Sequence, residues 1–277
     1  MGDNIPHSDM KRQATNAFFI TNPVFSLDQA TEALSPPGGK QGTVERLKYH
    51  LEKGRLKLVA REIYAVIPLG ISAERFQPDS FLVAAAVRPK GTFAYHSALE
   101  LLGVSHSYWG MCTLYVTRTR RPVSLNGTIV KFLKYPKALS SIDEQSLGTR
   151  KVERRGKLLS CTGPERTLVE GFRRPELAGG LEEFVVSASG FPVLNLELLE
   201  KVLQVYDIRN LWASVGWFLE RFRRTFHVPN ETLERMEINR PKSPHYLIRS
   251  QRGGKLESRW NLILPDELEG FGEPNVT

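Results

Sequence analysis

Cysteine is nearly missing from this chain. Cys112 and Cys161 are the only two in 277 residues, and they lack the Cys-x-x-Cys spacing of a zinc or redox site. Neither a disulfide framework nor a metal-knotted fold is therefore expected. The six histidines (His7, His50, His96, His106, His227 and His245) are scattered, with no His-x-His or His-Glu-x-x-His pattern. Metal ligation needs such clustering, so no metal or other cofactor is expected. Long apolar runs are missing too. The longest, Phe81–Val87, is far too short to cross a bilayer, which needs about 20 residues. The opening MGDNIPHSDMKRQ has no apolar core of a secretory signal. The expectation is a cytoplasmic protein in a reducing compartment, with no membrane partner. Phosphate-binding GxxxxGK[ST] and GxGxxG motifs and the nucleophile elbow GxSxG are all absent, so an enzyme is not expected.

What is present is an ordinary globular composition, 41% hydrophobic and 25% charged. The length suggests about two domains. Lysine and arginine number 38 against 30 acidic residues, a net charge of +8 that modestly favours a polyanionic partner.

Residues 1–12 read as a flexible tail. Phe18, Phe19 and Ile20 then make an apolar patch on a short helix, broken at Asn22-Pro23. Ser26 is a good N-cap for a helix from Leu27 to Leu34, and Ser-Pro-Pro-Gly-Gly at 35–39 is a turn no helix can run through. A third helix is predicted from Lys40 to Lys53, with Val44, Leu47, Tyr49 and Leu51 as its core-facing stripe and Gly54 as its left-handed stop. Two short strands follow, Arg55–Val59 and Glu62–Ile67. Helix, helix, turn, helix, hairpin within 13–75 is the order of a winged helix-turn-helix. Between Lys40 and Arg61 lie seven lysines and arginines against two glutamates, on the elements such a fold presents to DNA.

The remainder, 76–277, reads as a larger mixed domain. Helices are predicted at Phe81–Val87 (capped by Ser80), from Thr92 to a stop at Gly103, from Pro164 onward, at Leu196–Val205 and at Leu211–Phe222. Strands are predicted at Met111–Thr117, Thr128–Leu133 and Lys157–Cys161. A strand pair over Tyr246–Leu264 would turn at Arg252-Gly253-Gly254-Lys255, followed by an acidic, mobile tail from Pro265. The fold class is therefore α+β: an N-terminal winged helix-turn-helix followed by a larger mixed α/β C-terminal domain.

The segments YHSALELLGV (95–104) and GPERTLVEGFRRPELAGGLEE (163–183), behind such a head, resemble the AbiEi family, abortive-infection antitoxins of type IV toxin–antitoxin systems. The resemblance runs from about Phe18 to Phe222. It implies a head that binds inverted repeats in its own promoter, and a C-terminal antitoxin domain. That domain would counter a neighbouring nucleotidyltransferase toxin without an obligatory stable complex. Three departures stand out. Arg61-Glu62-Ile63-Tyr64 replaces the Arg-Gly-aliphatic-Tyr on which the family's wing turns, the Pro-Pro-Gly-Gly turn is longer than a minimal one, and Leu102 stands where a histidine often precedes the glycine.

For DNA, Lys40, Gln41, Thr43 and Arg46 are the candidate base readers, flanked by Lys48 and Lys53. Arg55, Lys57 and Arg61 are the candidate phosphate contacts. Thr43 could instead be a local cap. Basic clusters at Arg118, Arg120 and Arg121, and at Arg150, Lys151, Arg154, Arg155 and Lys157, read first as solvated loops. Glu165 and Arg166 read as structural, with Glu170 as the partner of Arg166 at i+4, and His96-Ser97 is not a nucleophile–base pair because neighbouring helical side chains diverge. Trp212 and Trp217 read as core. An alternative is a winged-helix regulator whose second domain senses a ligand or protein, with no toxin partner. A third is a nucleic-acid-modifying enzyme.

Overall fold

In the computed structural model, which describes residues 7–248 and 253–271, the chain opens on helix α1 (His7–Thr21). Its start lies inside the stretch read as a tail; residues 1–6 are outside the described residues. Strand β1 (Val24–Ser26) leads into α2 (Leu27–Leu34) through a reciprocal cap. Gln29 N–H donates to Ser26 Oγ, and Ser26 N–H donates to Gln29 Oε1. After the proline turn comes α3 (Gly39–Glu52). Gly42 is required there, because a Cβ would stand 2.1 Å from the Pro37 carbonyl oxygen. Strands β2 (Leu56–Ala60) and β3 (Ile63–Val66) complete an antiparallel sheet of order β1-β3-β2.

Under this sheet lie Phe18, Phe19, Phe25, Leu47, Leu56 and Tyr64, with the Phe25 ring stacked on Tyr64 at 5.8 Å. The inward face of α3 is Thr43, Leu47 and His50, with Leu51 half-buried. Val44 and Tyr49, expected in the core, are 41% and 56% exposed. The reason is angular: at about 100° per residue, Tyr49 sits on the far side of the helix from Leu47.

The core does not stop at residue 75. Val24, Ile63 and Ala65 share one apolar cluster with Phe81, Val83 and Phe93 of the following part. Helix α4 (Ser80–Val87) is capped by Asp79 rather than Ser80: its Oδ1 accepts from the backbone N–H groups of Phe81 and Leu82. Next come β4 (Thr92–Phe93) and α5 (His96–Leu101), so the helix expected from Thr92 starts only at His96. Tyr95 between them has φ of 58°, which a continuous helix excludes.

Strands β5 (Met111–Val116), β6 (Val123–Leu125), β7 (Thr128–Lys134), β8 (Thr149–Arg154) and β9 (Lys157–Thr162) join β4 in a six-stranded sheet of order β6-β7-β5-β4-β9-β8. The β5–β7 and β4–β9 pairs are parallel and the others antiparallel. Helix α6 (Ile142–Ser146) bridges to β8. Helices α7 (Pro164–Arg173), α8 (Leu181–Ser189), α9 (Leu196–Tyr206), α10 (Arg209–Arg221) and α11 (Asn230–Ile238) pack around a core containing Leu168, Phe172, Phe184, Trp212, Trp217 and Phe218.

A last small sheet holds β10 (His245–Tyr246), β11 (Lys255–Glu257) and β12 (Leu262–Leu264). Its hairpin is β11–β12, with β10 parallel to β12, and Gly253-Gly254 precedes β11 instead of forming the turn. Arg252 of the expected turn is outside the described residues. Trp260, expected in the return strand, sits in the β11–β12 turn and plugs the core against Gly216. A Cβ on Gly216 would stand 2.1 Å from the indole. Beyond Pro265 the described chain continues as a 3-10 turn, Asp266–Leu268; residues 272–277 are outside it. With eleven α-helices and three sheets among the described residues, the fold is mixed α+β.

Candidate nucleic-acid interface

Helix α3 turns one charged face to solvent because its opposite face is committed to Leu47 and its buried neighbours. Gln41, Lys48 and Lys53 are exposed on it, as are Val44 and Tyr49, which the sequence reading had assigned to the core. Counting the helical repeat from Leu47 would have found Tyr49, about 200° away, whereas Val44 at i−3 lies only about 60° from Leu47 and gives no such signal. An exposed Val can meet a thymine methyl group. Arg46 is half-buried at the flank, and no carboxylate within ion-pair distance meets it among the described residues. Lys53 lies over the Tyr49 ring at 5.9 Å. Lys40 is exposed at the helix start but engaged, with its ammonium 3.1 Å from Asp28 Oδ1 and 3.4 Å from Glu62 Oε1.

Two of the nine candidates face elsewhere. Thr43 is fully buried and donates its hydroxyl to the Gly39 carbonyl, so it is a local structural contact rather than a base reader. The Lys57 ammonium donates to the backbone carbonyls of Ala73 and Phe76, which turns it toward the linker and away from any phosphate track. Arg55 is intermediate: its Nη2 donates to Asn16 Oδ1 at 3.0 Å and its guanidinium stacks 5.5 Å from the Phe19 ring. Arg61 is exposed at the β2–β3 turn.

That turn keeps the positive φ of a glycine without having one. Glu62 stands at φ of 61°, and its carbonyl accepts from Leu27 N–H at 2.8 Å. A side chain in this region costs about 1–2 kcal/mol, partly offset by the extra chain entropy a glycine would lose. Glu62→Gly is therefore expected to raise unfolding stability by about 0.5–1 kcal/mol. It also removes a negative charge from the face that carries Lys40, so duplex affinity should rise. Urea unfolding and duplex titration read both, and a less stable variant would show the turn to be unstrained.

The other basic clusters are partly consumed by structure. Arg154 pairs with Asp79 at 2.9 Å and Glu100 at 3.3 Å and stacks on Phe81, Arg155 reaches Asp79 at 3.6 Å, and Lys157 donates to Asn22 Oδ1 at 2.6 Å. Arg120 lies over the Phe132 ring. Arg118, Arg121, Arg150 and Lys151 are exposed.

In the second part, Arg166 and Glu170 are both fully buried and paired at 2.8 Å, the i+4 partnership read from sequence. Arg166 Nη1 also donates to the carbonyls of Gln145 and Leu147, and Tyr206 donates its phenol to Glu170 at 2.6 Å. Glu165 Oε1 accepts from Asn195 N–H. These contacts staple α7 to α6 and α9. Ser97 Oγ accepts from Thr113 N–H, so it and His96 are not paired for catalysis.

His96 is buried with Nε2 3.5 Å from Glu183 Oε1, and burial holds its pKa below the ordinary value against the pull of Glu183 and Glu100. Burial, with Arg55 and Arg46 nearby, lowers His50 likewise. A base depressed in the folded state is protonated first in the unfolded state. Its contribution is therefore present above the ordinary histidine value of about 6.5 and lost as pH falls below it. Unfolding stability is expected to drop between about pH 7.5 and pH 5.5, with a flatter profile in His96→Gln. Identical profiles would exclude His96 as a contributor.

Both cysteines are buried free thiols, Cys112 pushed up to about 12 and Cys161 to about 11 by burial. Among the described residues no group of three histidine, cysteine or carboxylate side chains could hold a metal ion, and no helix is long and apolar enough to cross a membrane.

Fold and surface together define a mixed α+β protein with a small basic head packed onto a sheet-and-helix body. No family model matches the chain, and no curated protein does. Among solved structures it is similar to the Rv2827c protein of Mycobacterium tuberculosis, with a TM-score of 0.60 at 16% identity, covering 92% of this chain and 91% of that one. The likeness is one of fold, and it spans head and body alike.

Proposed function

We propose that residues 13–75 form a winged helix-turn-helix and that the chain is a DNA-binding transcriptional autorepressor. Its body, 76–277, would act as the antitoxin of a cytoplasmic type IV system. One observation carries the DNA-binding reading: the element order α1-β1-α2-α3-β2-β3, closed by a β1-β3-β2 sheet, leaves the basic outer face of α3 and the β2–β3 turn in solvent together. In that arrangement α3 enters a major groove and the turn rides on phosphates. With Thr43 buried and Lys40 held by Asp28 and Glu62, the base-reading set becomes Gln41, Arg46 and the neighbouring Lys48, with Val44 and Tyr49 beside them. Lys40, Lys53, Arg55 and Arg61 are left for phosphates. The antitoxin role rests on the resemblance of segments 95–104 and 163–183 to the AbiEi family, with a nucleotidyltransferase toxin as functional partner and no stable complex required.

The test is fluorescence anisotropy on the duplex upstream of the protein's own gene, beside a random duplex of equal length, over a salt series. Tighter binding to the upstream fragment, weakening steeply with salt, is expected. Equal affinity for both duplexes at every salt concentration would remove the regulator reading. Rescue of growth on co-expression with the neighbouring nucleotidyltransferase tests the antitoxin part.

A further inference from the structure

Beside the outer face of α3, a second basic feature lies where α1, the end of α3 and the start of β2 meet. They enclose a cleft of about 570 Å³ whose walls include Arg12, Asn16, Arg46, His50, Lys53 and Arg55. That volume falls within the range of small-molecule sites. Four cations converge there, and no aspartate or glutamate lines the cleft. None of the four has an ion-pair partner among the described residues. By contrast, Lys40, Arg154 and Arg259 each reach two carboxylates.

The wall holds a second anomaly. His50 is 8% exposed, yet its Nδ1 has no hydrogen-bond partner. A buried nitrogen left unpaired costs about 1–3 kcal/mol, and this one belongs to a residue that lines the cleft. Its ring is held edge-on by Phe19 at 5.0 Å and Tyr49 at 5.3 Å, which fixes its orientation. Arg55 is fixed as well, by Asn16 and by the Phe19 ring. Four unpaired cations around a cleft in which Arg55 and His50 are held in place make an anion seat.

We infer that this cleft binds a phosphate group, held by Arg12, Lys53 and Arg55 beside the His50 ring. The group can belong to a DNA backbone that continues past α3, which rests on the DNA-binding reading, or to a free phosphate, which does not.

The full chain is titrated calorimetrically with inorganic phosphate and, separately, with a random duplex, alongside two variants. Arg12→Ala/Lys53→Ala strips the cleft of two exposed cations, whereas Arg118→Ala/Arg121→Ala removes the same charge from another surface. Saturable one-to-one phosphate binding, weakened about tenfold or more in the cleft variant alone, supports a free-phosphate site. Absence of phosphate binding, with random-duplex affinity falling about tenfold more in the cleft variant than in the charge control, supports the backbone source. Equal effects of the two variants on both ligands, or no binding of either ligand, would overturn the inference. Preference for the upstream sequence plays no part in these readouts, so the cleft and the regulator reading can fail separately.

Discussion

Arg166→Met is expected to destabilise the protein by about 3–5 kcal/mol, the largest effect of any single substitution proposed for this chain. The guanidinium is completely buried and answers three acceptors at once: Glu170 Oε1 and the carbonyls of Gln145 and Leu147. Methionine fills similar volume but donates nothing. Glu170 would keep only the Tyr206 hydroxyl, a neutral donor, and a carboxylate in such a place either pays full desolvation or takes up a proton. The Tyr206 phenol, pushed far above its ordinary range by burial and Glu170, stays protonated: it donates a hydrogen bond but, having no cationic form, supplies no counter-charge. The pair is also imperfect. Arg166 Nη2 and Glu170 Oε2 both lack hydrogen-bond partners. Replacing both members, Arg166→Met with Glu170→Leu, should therefore recover a substantial part of the loss. Urea unfolding of the two variants measures this. A loss below about 1 kcal/mol in the single variant would mean the pair is dispensable.

Arg46→Ala is the second large effect, expected to weaken binding to the upstream duplex by about 1–3 kcal/mol. Arg46 is the candidate reader that carries a guanidinium, whose paired donors match a guanine edge, and it has no ion-pair partner among the described residues. Lys40 must first leave Asp28 and Glu62, and Arg55 must leave Asn16. If Arg46 reads a guanine edge, the loss appears on the upstream duplex and fades on the random one. If it touches only phosphate, both duplexes weaken alike and the salt slope falls by about one. Unchanged affinity for both would remove α3 as the reading helix.

The parts of this fold that were legible in the sequence are those written in short-range chemistry. Ser26 and Gln29 cap α2, Gly54 stops α3 at a φ of 65°, and Pro164 opens α7 as its spacing suggested. Arg166 and Glu170 were readable because helical repeat alone makes i+4 neighbours meet. The side of α3 that faces inward was harder to read. Val44 and Tyr49 are apolar enough to mimic a core stripe, while the true inward residues include Thr43 and His50, polar types that give no such signal. Lys57 was misread for another reason: its partners are main-chain carbonyls of Ala73 and Phe76, which every residue type carries. Long-range pairings were invisible on the same grounds. Nothing local marks β5 as parallel to β7, or Trp260 as the plug for Gly216. The cleft was likewise hidden, because Arg12 and Arg55 meet only when α1 folds back beside α3 and β2.

The apolar cluster that joins Val24, Ile63 and Ala65 to Phe81, Val83 and Phe93 makes head and body a single cooperative unit. A fragment cut after residue 75 would present those side chains to water along one sheet face, and should aggregate where the full chain stays dispersed. If the chain binds inverted repeats as proposed, the same rigidity would make the body a ruler. Two copies on such a site could not adjust their separation by swinging their heads. The shortest permitted distance between half-sites would then be set by how closely two bodies can approach, and deletions of a few base pairs between the repeats should abolish joint occupancy rather than merely weaken it.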